Sequence, residues 1–243
     1  MDKHFQDLLL DYAYAQTDEQ KAEIQGSLWE QFGRSKAVFV MDMSGFSLLS
    51  QRHGIVHYLS MVRRMQLTTQ PIIEQYGGEV VKFEADNCFA SFPDALPAVQ
   101  AGMALNAAFF GMNLLTPDEL DIRISIGIDY GDILLIGGPD YFGDPVNCAS
   151  KLGEDTAGPG EILVTERAFQ RIPPEAGIEG TALRLTISGI ELQTFKVDFP
   201  EPPDPLKHRD IFGGIGALDA LVEPSETEGG KAEVPESASQ EAE

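Results

Sequence analysis

An uninterrupted apolar segment that ends in an acid constrains the fold of this chain more than any other feature. Residues 37–41 read Ala-Val-Phe-Val-Met, and such a run is typical of a strand buried on both faces. Asp42 follows, then a turn of small residues, and then apolar residues at near-helical spacing over 48–76. This helix should kink at Pro71 and end at the glycine pair 77–78. The pattern predicts a sheet with a helix packed on it.

The next segments continue this alternation of strands and helices. Residues 79–83 and 87–92 have the composition of two strands joined by a tight turn. Residues 97–112 have helical periodicity, and residues 122–130 alternate in the manner of a strand. Together with the first strand and helix they give the order βαββαβ, which is the ferredoxin-like arrangement. We therefore predict an α+β fold with a ferredoxin-like βαββαβ core.

The C-terminal half is expected to extend this core. Residues 133–136 are interpreted as the hairpin partner of the preceding strand, so the hairpin from Gly131 to Asp140 should be short. The other predicted elements are a helix from Pro145, a strand at 162–164, a short helix ending at Ile172, and two strands around 183–187 and 193–197.

Composition and periodicity divide the chain into three segments. Residues 1–34 carry two amphipathic helical patterns, and residues 35–199 form the predicted folded domain. Residues 200–243 are rich in proline, acids, serine and glycine, and their end is expected to be disordered. Two interpretations of the N-terminal helices stay open: a cover for the core, or a regulatory segment that binds a partner or couples two subunits.

The strongly acidic balance excludes some partners. The formal net charge is −22, so the surface should repel nucleic acid and anionic lipid. A nucleotide triphosphate would need metal ions and a locally basic pocket. Cys88 and Cys148 match no disulfide or metal-binding spacing, and residues 1–4 have no basic signal-peptide region. The longest mainly apolar stretch, residues 102–115, is too short to span a bilayer. We expect a cytoplasmic protein without a membrane span.

Two acids lie where strands are predicted to end. Asp42 follows the first strand, and Asp86 follows the strand 79–83 across a tight turn. In the βαββ order the first strand and the hairpin that carries Asp86 lie side by side, so the two carboxylates could converge on a pair of Mg²⁺ ions. The turn residues Gly45, Phe46 and Ser47 precede a helix, where backbone amides can receive phosphate oxygens. The alternative is that Asp42 caps a turn and Asp86 faces water at a hairpin tip.

A second candidate group lies in the helix expected from Pro145. Asn147 and Lys151 are four residues apart and therefore share one helix face. An amide and a cation on one face suit a ribose and a phosphate. The alternative is an ordinary solvated helix surface.

Five segments, in this order, resemble the catalytic domain of class III adenylate and guanylate cyclases. The resemblance runs from about Ala37 to Val197. The family's strongest signature corresponds to residues 143–152, Gly-Asp-Pro-Val-Asn-Cys-Ala-Ser-Lys-Leu. The other matching segments are 38–46, 82–86, 123–132 and 158–165.

The resemblance implies a role for each matched residue. Asp42 and Asp86 would ligate two Mg²⁺ or Mn²⁺ ions, assisted by the carbonyl of Met43. Lys82 and Asp140 would read the purine, with the lysine donating to an adenine ring nitrogen and the aspartate accepting from its amino group. Guanylate cyclases of the family usually carry Glu and Cys at those two positions. Asn147 would orient the ribose, and Lys151 would face the α-phosphate.

The resemblance therefore implies the class III nucleotidyl cyclase fold over 35–199 and an adenylate cyclase activity. ATP would be converted to 3′,5′-cyclic AMP and pyrophosphate by two-metal catalysis. In this family the metal acids and the purine-reading residues of one site come from different subunits, so a homodimer with shared active sites is implied. Two alternatives stay open: a weak or inactive nucleotide-binding regulatory protein, and a guanylate cyclase.

The sequence also departs from the family pattern. The last signature residue is normally arginine, and here it is Lys151. Ala85 stands where glycine often precedes the second metal acid. The hairpin 131–140 looks shorter than in typical members, and the segment 186–189 lacks the basic residue that several relatives place there to bind triphosphate. These departures predict slow catalysis and leave the dimer contact open.

Overall fold

The computed structural model describes residues 2–45, 51–136, 140–187 and 190–199. The predicted site residues Phe46 and Ser47, and the C-terminal segment 200–243, lie outside the described residues. The helices are α1 (Lys3–Tyr14), α2 (Asp18–Phe32), α3 (Ile55–Gln75), α4 (Ala95–Asn113), α5 (Asp144–Ser150) and α6 (Glu166–Phe169). The strands are β1 (Gly33–Met43), β2 (Glu79–Glu84), β3 (Asn87–Phe92), β4 (Ile124–Ile136), β5 (Asp140–Phe142), β6 (Ile162–Thr165), β7 (Glu179–Ile187) and β8 (Ile190–Asp198).

The described part of the chain forms one eight-stranded mixed sheet. Its order is β2-β3-β1-β4-β6-β8-β7, with β5 paired to β4 beside this path. β1 lies between β3 and β4 and is antiparallel to both, whereas β6 is parallel to β4. The first four strands and the two helices between them, α3 and α4, have the ferredoxin-like arrangement. The predicted α+β fold with a βαββαβ core is confirmed.

Both faces of β1 are buried, which explains its unbroken apolar sequence. Side chains alternate along a strand. Phe39 and Met41 pack in the core that includes α3 and α4, and Val38 and Val40 pack in a second cluster with α5. All four are fully buried. By the same alternation Asp42 follows Val40 on the α5 side of the sheet.

Helix α4 is a core helix. Among the described residues it is the one helix that is long and apolar enough, by length and composition, to cross a membrane. Val99, Leu105 and Phe109 are buried against the sheet, and Asp94 caps the first turn by accepting a hydrogen bond from the amide of Ala95. Its apolar composition is therefore explained by packing.

The prediction that residues 133–136 form the hairpin partner of the preceding strand is wrong. These residues belong to the same strand, because β4 continues without a turn to Ile136, and its antiparallel partner is β5. Pairing with β1 extends to Leu134, beyond the expected turn. Gly131 does not mark a turn: an added Cβ there would lie 2.9 Å from Pro145, so this glycine lets α5 pack closely on β4.

The N-terminal helices pack against the far end of β4. Phe5 of α1 and Leu28 of α2 form a small buried cluster with Ile136. Phe5 also lies parallel to Phe142 of β5, with ring centroids 6.5 Å apart. The helices thus cover the β4–β5 region, while their regulatory role and the boundary at residue 34 stay predictions.

Candidate active site

Asp42 and Asp86 come together at one end of the sheet. Asp42 pairs with Asn87 in the register of β1 and β3, and Asp86 is the residue just before Asn87 in the β2–β3 turn. Burial, followed by the charge of Asp86, raises the pKa of Asp42 from 3.8 to about 6. The expected convergence of the two carboxylates is thus what the fold produces.

Other groups fix the two acids in place. The backbone amide of Met43 donates to the Asp42 carboxylate, and the hydroxyl of Tyr58 on α3 donates to Asp86. Burial nevertheless raises the pKa of Asp86. Met43 itself is buried in the core, so the metal-ligand role of its carbonyl stays a prediction. Tyr58 was not predicted, because its spacing matches that of any core residue of α3.

A third acid, Glu154, lies near Asp42 and was not predicted. It belongs to a π-helical turn, Lys151–Thr156, that follows α5 directly. An added Cβ on Gly153 would lie 2.6 Å from the carbonyl oxygen of Val40, so this turn rests on β1. The charge of Glu154 contributes to the raised pKa of Asp42. A one-residue widening of a helix leaves no clear mark in a sequence.

The donors at this end of the sheet suit a hard cation. Asp42, Asp86 and Glu154 offer carboxylate oxygens, the ligands that Mg²⁺ and Mn²⁺ prefer. The side-chain oxygen of Asn87 is buried there and has no hydrogen-bond partner in the described part of the chain. These residues fit the two divalent cations that the motifs imply.

Ala85, just before Asp86, has a strained backbone. Its φ is +52°, a left-handed conformation that a Cβ disfavours, and among the described residues no other non-glycine residue has a positive φ. We expect Ala85→Gly to stabilise the protein by about 0.5–1 kcal/mol, since the relieved strain exceeds the extra entropy of glycine. Urea denaturation measures this change. Ala15, with φ −60°, is the matched control, and Ala15→Gly should destabilise. Equal effects of the two substitutions would contradict the strain.

Lys82 and Asp140 meet, although 58 positions separate them. Their side chains form an ion pair of 3.6 Å between β2 and β5, and each is about a third exposed. Lys82 also pairs with Glu84 at 2.9 Å, which was not predicted. The hydrogen bond that Lys82 donates to Glu84, together with the charges of both acids, raises the pKa of Lys82 against the effect of burial. The ammonium and a carboxylate are therefore presented side by side.

Asn147 and Lys151 line one cavity of about 660 Å³ between α5 and β8. Their expected common face is therefore observed. Lys151 forms an exposed ion pair with Asp155 at 2.8 Å. Neither Asp42 nor Asp86 lines this cavity, although the charge of Asp155, which pairs with Lys151, contributes to the raised pKa of Asp42. We call this space the Asn–Lys cavity.

Two further features complete the site region. Gly45 turns the chain after β1 with φ +82°, which favours glycine. Cys148 is partly buried and lines the Asn–Lys cavity. A second cavity, of about 510 Å³ beside Asn106 and Lys196, contains none of the predicted site residues.

Comparisons with curated proteins find cyclases among the relatives. No protein-family model matches the chain. A Rhizobium meliloti protein named "Putative adenylate cyclase 3" is 29% identical over 146 residues, which are 60% of this chain and 24% of that protein. An adenylate cyclase of Streptomyces coelicolor is 27% identical over 140 residues, 58% of this chain and 34% of that protein. The chain thus spans about a quarter to a third of the length of these relatives.

Solved cyclase structures have the same fold. The adenylate/guanylate cyclase/hydrolase of Silicibacter pomeroyi is 29% identical with a TM-score of 0.58, and the match covers 69% of this chain and 98% of that one. The catalytic core of a rhodopsin-guanylyl cyclase with converted specificity, in complex with ATPαS, has a TM-score of 0.59 at 23% identity and covers 68% and 98%. These structural neighbours are class III adenylate/guanylate cyclase catalytic domains, and the chain resembles them in fold.

The chain differs from the class III cyclase pattern at two places that the structure describes. Lys151 keeps the charge of the usual arginine but offers no planar fork for a phosphate. Ala85 replaces the frequent glycine at a position where the backbone is left-handed. The segment 186–189 includes residues 188–189, which lie outside the described residues.

Proposed function

We propose that this chain is an adenylate cyclase domain that converts ATP to 3′,5′-cyclic AMP and pyrophosphate. The observation that carries the proposal is the convergence of Asp42 and Asp86 at the end of β1. Lys82 and Asp140 support ATP as the substrate, because an adenine offers an acceptor nitrogen to the ammonium and an amino group to the carboxylate. Guanine presents a carbonyl in place of that amino group, and an unmatched buried acceptor is costly.

In this proposal each candidate site residue has a distinct role in binding or catalysis. Asp42 and Asp86 would hold two Mg²⁺ or Mn²⁺ ions, which when bound would lower the pKa of the 3′-hydroxyl and neutralise charge on the phosphates. Lys82 and Asp140 fix the adenine, and Asn147 orients the ribose so that its 3′-oxygen lies in line with the α-phosphorus. Lys151 contacts the α-phosphate as negative charge develops on it.

A homodimer with shared active sites is part of this proposal. The acids that hold the ions lie outside the Asn–Lys cavity of their own chain, so we propose that each active site combines the acids of one subunit with Lys82, Asp140, Asn147 and Lys151 of the other. The cytoplasm, where ATP is abundant, is the proposed location. The N-terminal helices are proposed as the contact for a regulatory partner, since they cover the β4–β5 region.

The direct test is a turnover assay. Purified protein is incubated with ATP or GTP, with Mg²⁺ or Mn²⁺, at several protein concentrations. Cyclic AMP should form from ATP, and the specific activity should rise with protein concentration as the dimer assembles. Formation of cyclic GTP alone would establish a guanylate cyclase. If neither cyclic nucleotide forms under any of these conditions, the enzymatic proposal is wrong.

A second candidate is a nucleotide-binding regulatory protein with little or no turnover. The observation that favours it concerns Lys151. This position carries an ammonium that is paired with Asp155, where the family usually has the guanidinium of an arginine. Lys151→Arg should raise kcat by about tenfold, because a planar fork holds a phosphate with two hydrogen bonds. The measurement is kcat for both proteins at saturating ATP. Bound ATP with no turnover in the natural protein, together with turnover in the variant, would favour the regulatory alternative.

A further inference from the structure

We propose that Arg167 binds the phosphate chain of the nucleotide in the Asn–Lys cavity. This inference rests on the proposed function, since it concerns the same substrate. Arg167 belongs to the short helix α6, and its side chain is 45% exposed. It lines the cavity together with Asn147 and Lys151. No sequence motif pointed to it.

The guanidinium is held in a fixed orientation by a buried acid. Its Nε donates to Asp129 at 2.7 Å, and its Nη2 donates to the second oxygen of the same carboxylate. Asp129 is fully buried on β4 and also accepts from the hydroxyl of Thr165 and the amide of Tyr130. Nη2 donates in addition to Asp144 at 2.9 Å. In the described part of the chain these bonds use Nε and Nη2 and leave the Nη1 donors for a ligand.

The fixed guanidinium of Arg167 suits a phosphate ligand in this cavity better than the ammonium of Lys151 does. The ammonium of Lys151 is exposed, paired with Asp155, and carried by a flexible stem. Arg167 is already ordered by Asp129, so it loses little conformational entropy when it binds an oxyanion. Its remaining Nη1 hydrogens can donate charge-assisted hydrogen bonds to phosphate oxygens. In cyclisation the pyrophosphate group leaves with added negative charge, and a preorganised cation lowers the free energy of that charge.

The same residues could be taken for a metal site. Ligand atoms of Asp129, Asp144 and Cys148 lie within 4.8 Å of one another. However, the guanidinium of Arg167 already bridges the two carboxylates, so the position that a cation would take between them holds a positive charge. The cluster therefore serves to hold Arg167.

A matched pair of charge-removing substitutions tests the proposal. Asp144 is exposed, with 72% of its side chain accessible, and Asp144→Asn takes one carboxylate from Arg167 without breaking the buried pair with Asp129. Pyrophosphate, measured by titration calorimetry on the full chain, should bind about five- to tenfold more tightly. The control is Glu166→Gln, which removes the same charge from the same cavity lining and should change the affinity less than about twofold. Equal effects of the two substitutions would overturn the proposal.

A second variant separates binding from structural support. Arg167→Lys keeps the charge but removes the Nη1 donors and their fixed orientation, so KM for ATP should rise about tenfold with a smaller change in kcat. In this background Asp144→Asn should no longer tighten pyrophosphate binding. A purely structural Arg167 predicts instead a lower Tm with unchanged pyrophosphate affinity of the folded protein, which would overturn the proposal.

These outcomes are distinguishable from a failure of the proposed function. Pyrophosphate binding needs no turnover, so the Arg167 proposal stands if the affinities change as expected in a protein that makes no cyclic AMP. It falls alone if cyclic AMP forms while both Asp144→Asn and Arg167→Lys leave pyrophosphate affinity and KM unchanged.

Discussion

Asp42→Asn is expected to abolish cyclic AMP formation, with a loss in kcat of at least about 10³-fold. Asparagine has nearly the same shape but no charge, so it cannot neutralise a bound divalent cation. The same loss is expected for Asp86→Asn, because the two carboxylates act on the same ions. The assay is cyclic AMP release at saturating ATP and Mn²⁺.

The folded state should tolerate this substitution, so the loss can be assigned to chemistry. Burial and the charge of Asp86 raise the pKa of Asp42 from 3.8 to about 6, so the folded protein prefers the neutral form. The contribution of Asp42 to stability is therefore present below pH 3.8 and is lost as the pH rises to about 6. At neutral pH without metal, Asp42→Asn should have a Tm equal to or above that of the natural protein.

The control for charge removal is Glu175→Gln. Glu175 is exposed on a single helical turn, Pro174–Ala176, outside the sheet end that carries the acids. Its substitution should leave kcat unchanged. An Asp42→Asn protein that retains a substantial fraction of the natural activity would contradict the metal role of this carboxylate.

The second large effect concerns the choice of purine. The double substitution Lys82→Glu and Asp140→Cys should reverse the preference from ATP to GTP, with the ratio of kcat/KM values changing by about 10³-fold. Each unmatched polar group costs about 1–3 kcal/mol when it is desolvated, and two groups change together. The measurement is kcat/KM for both nucleotides in both proteins.

Glu84 supplies the control for this experiment. It pairs with Lys82 at 2.9 Å but is 65% exposed, and it is not expected to contact the base. Glu84→Gln should change the ATP-to-GTP ratio by less than about threefold. Retention of the ATP preference by the double variant would show that the Lys82–Asp140 pair does not read the purine.

The sequence predicts the centre of the fold well because the alternation of side chains is local. The apolar run 37–41, the helix after it and the hairpin 79–92 each bury a face that periodicity alone reveals. Their order then leaves few topologies open, so the meeting of Asp42 with Asp86 could be predicted. The contact of Lys82 with Asp140 depends on the family resemblance, because β2 and β5 are not neighbours in the strand order of the sheet.

The parts that were missed depend on contacts between distant segments. Gly131 has the local signature of a turn, yet the close packing of Pro145 decides its conformation. Glu154 reaches Asp42 through a π-helical turn, and Arg167 reaches Asp129 across the parallel pair β4–β6. Tyr58 looks like a core residue until its hydroxyl is seen beside Asp86. Such groups become visible only when the elements are placed against one another.

The most direct test of the shared active site is to mix two inactive proteins. Asp42→Asn subunits keep the purine-reading residues, and Lys82→Ala subunits keep the acids that hold the metal. Random exchange of subunits yields heterodimers with one intact site, so activity should return to about a quarter of the natural level. If the mixture stays inactive although subunit exchange is demonstrated, the two-subunit active site is wrong.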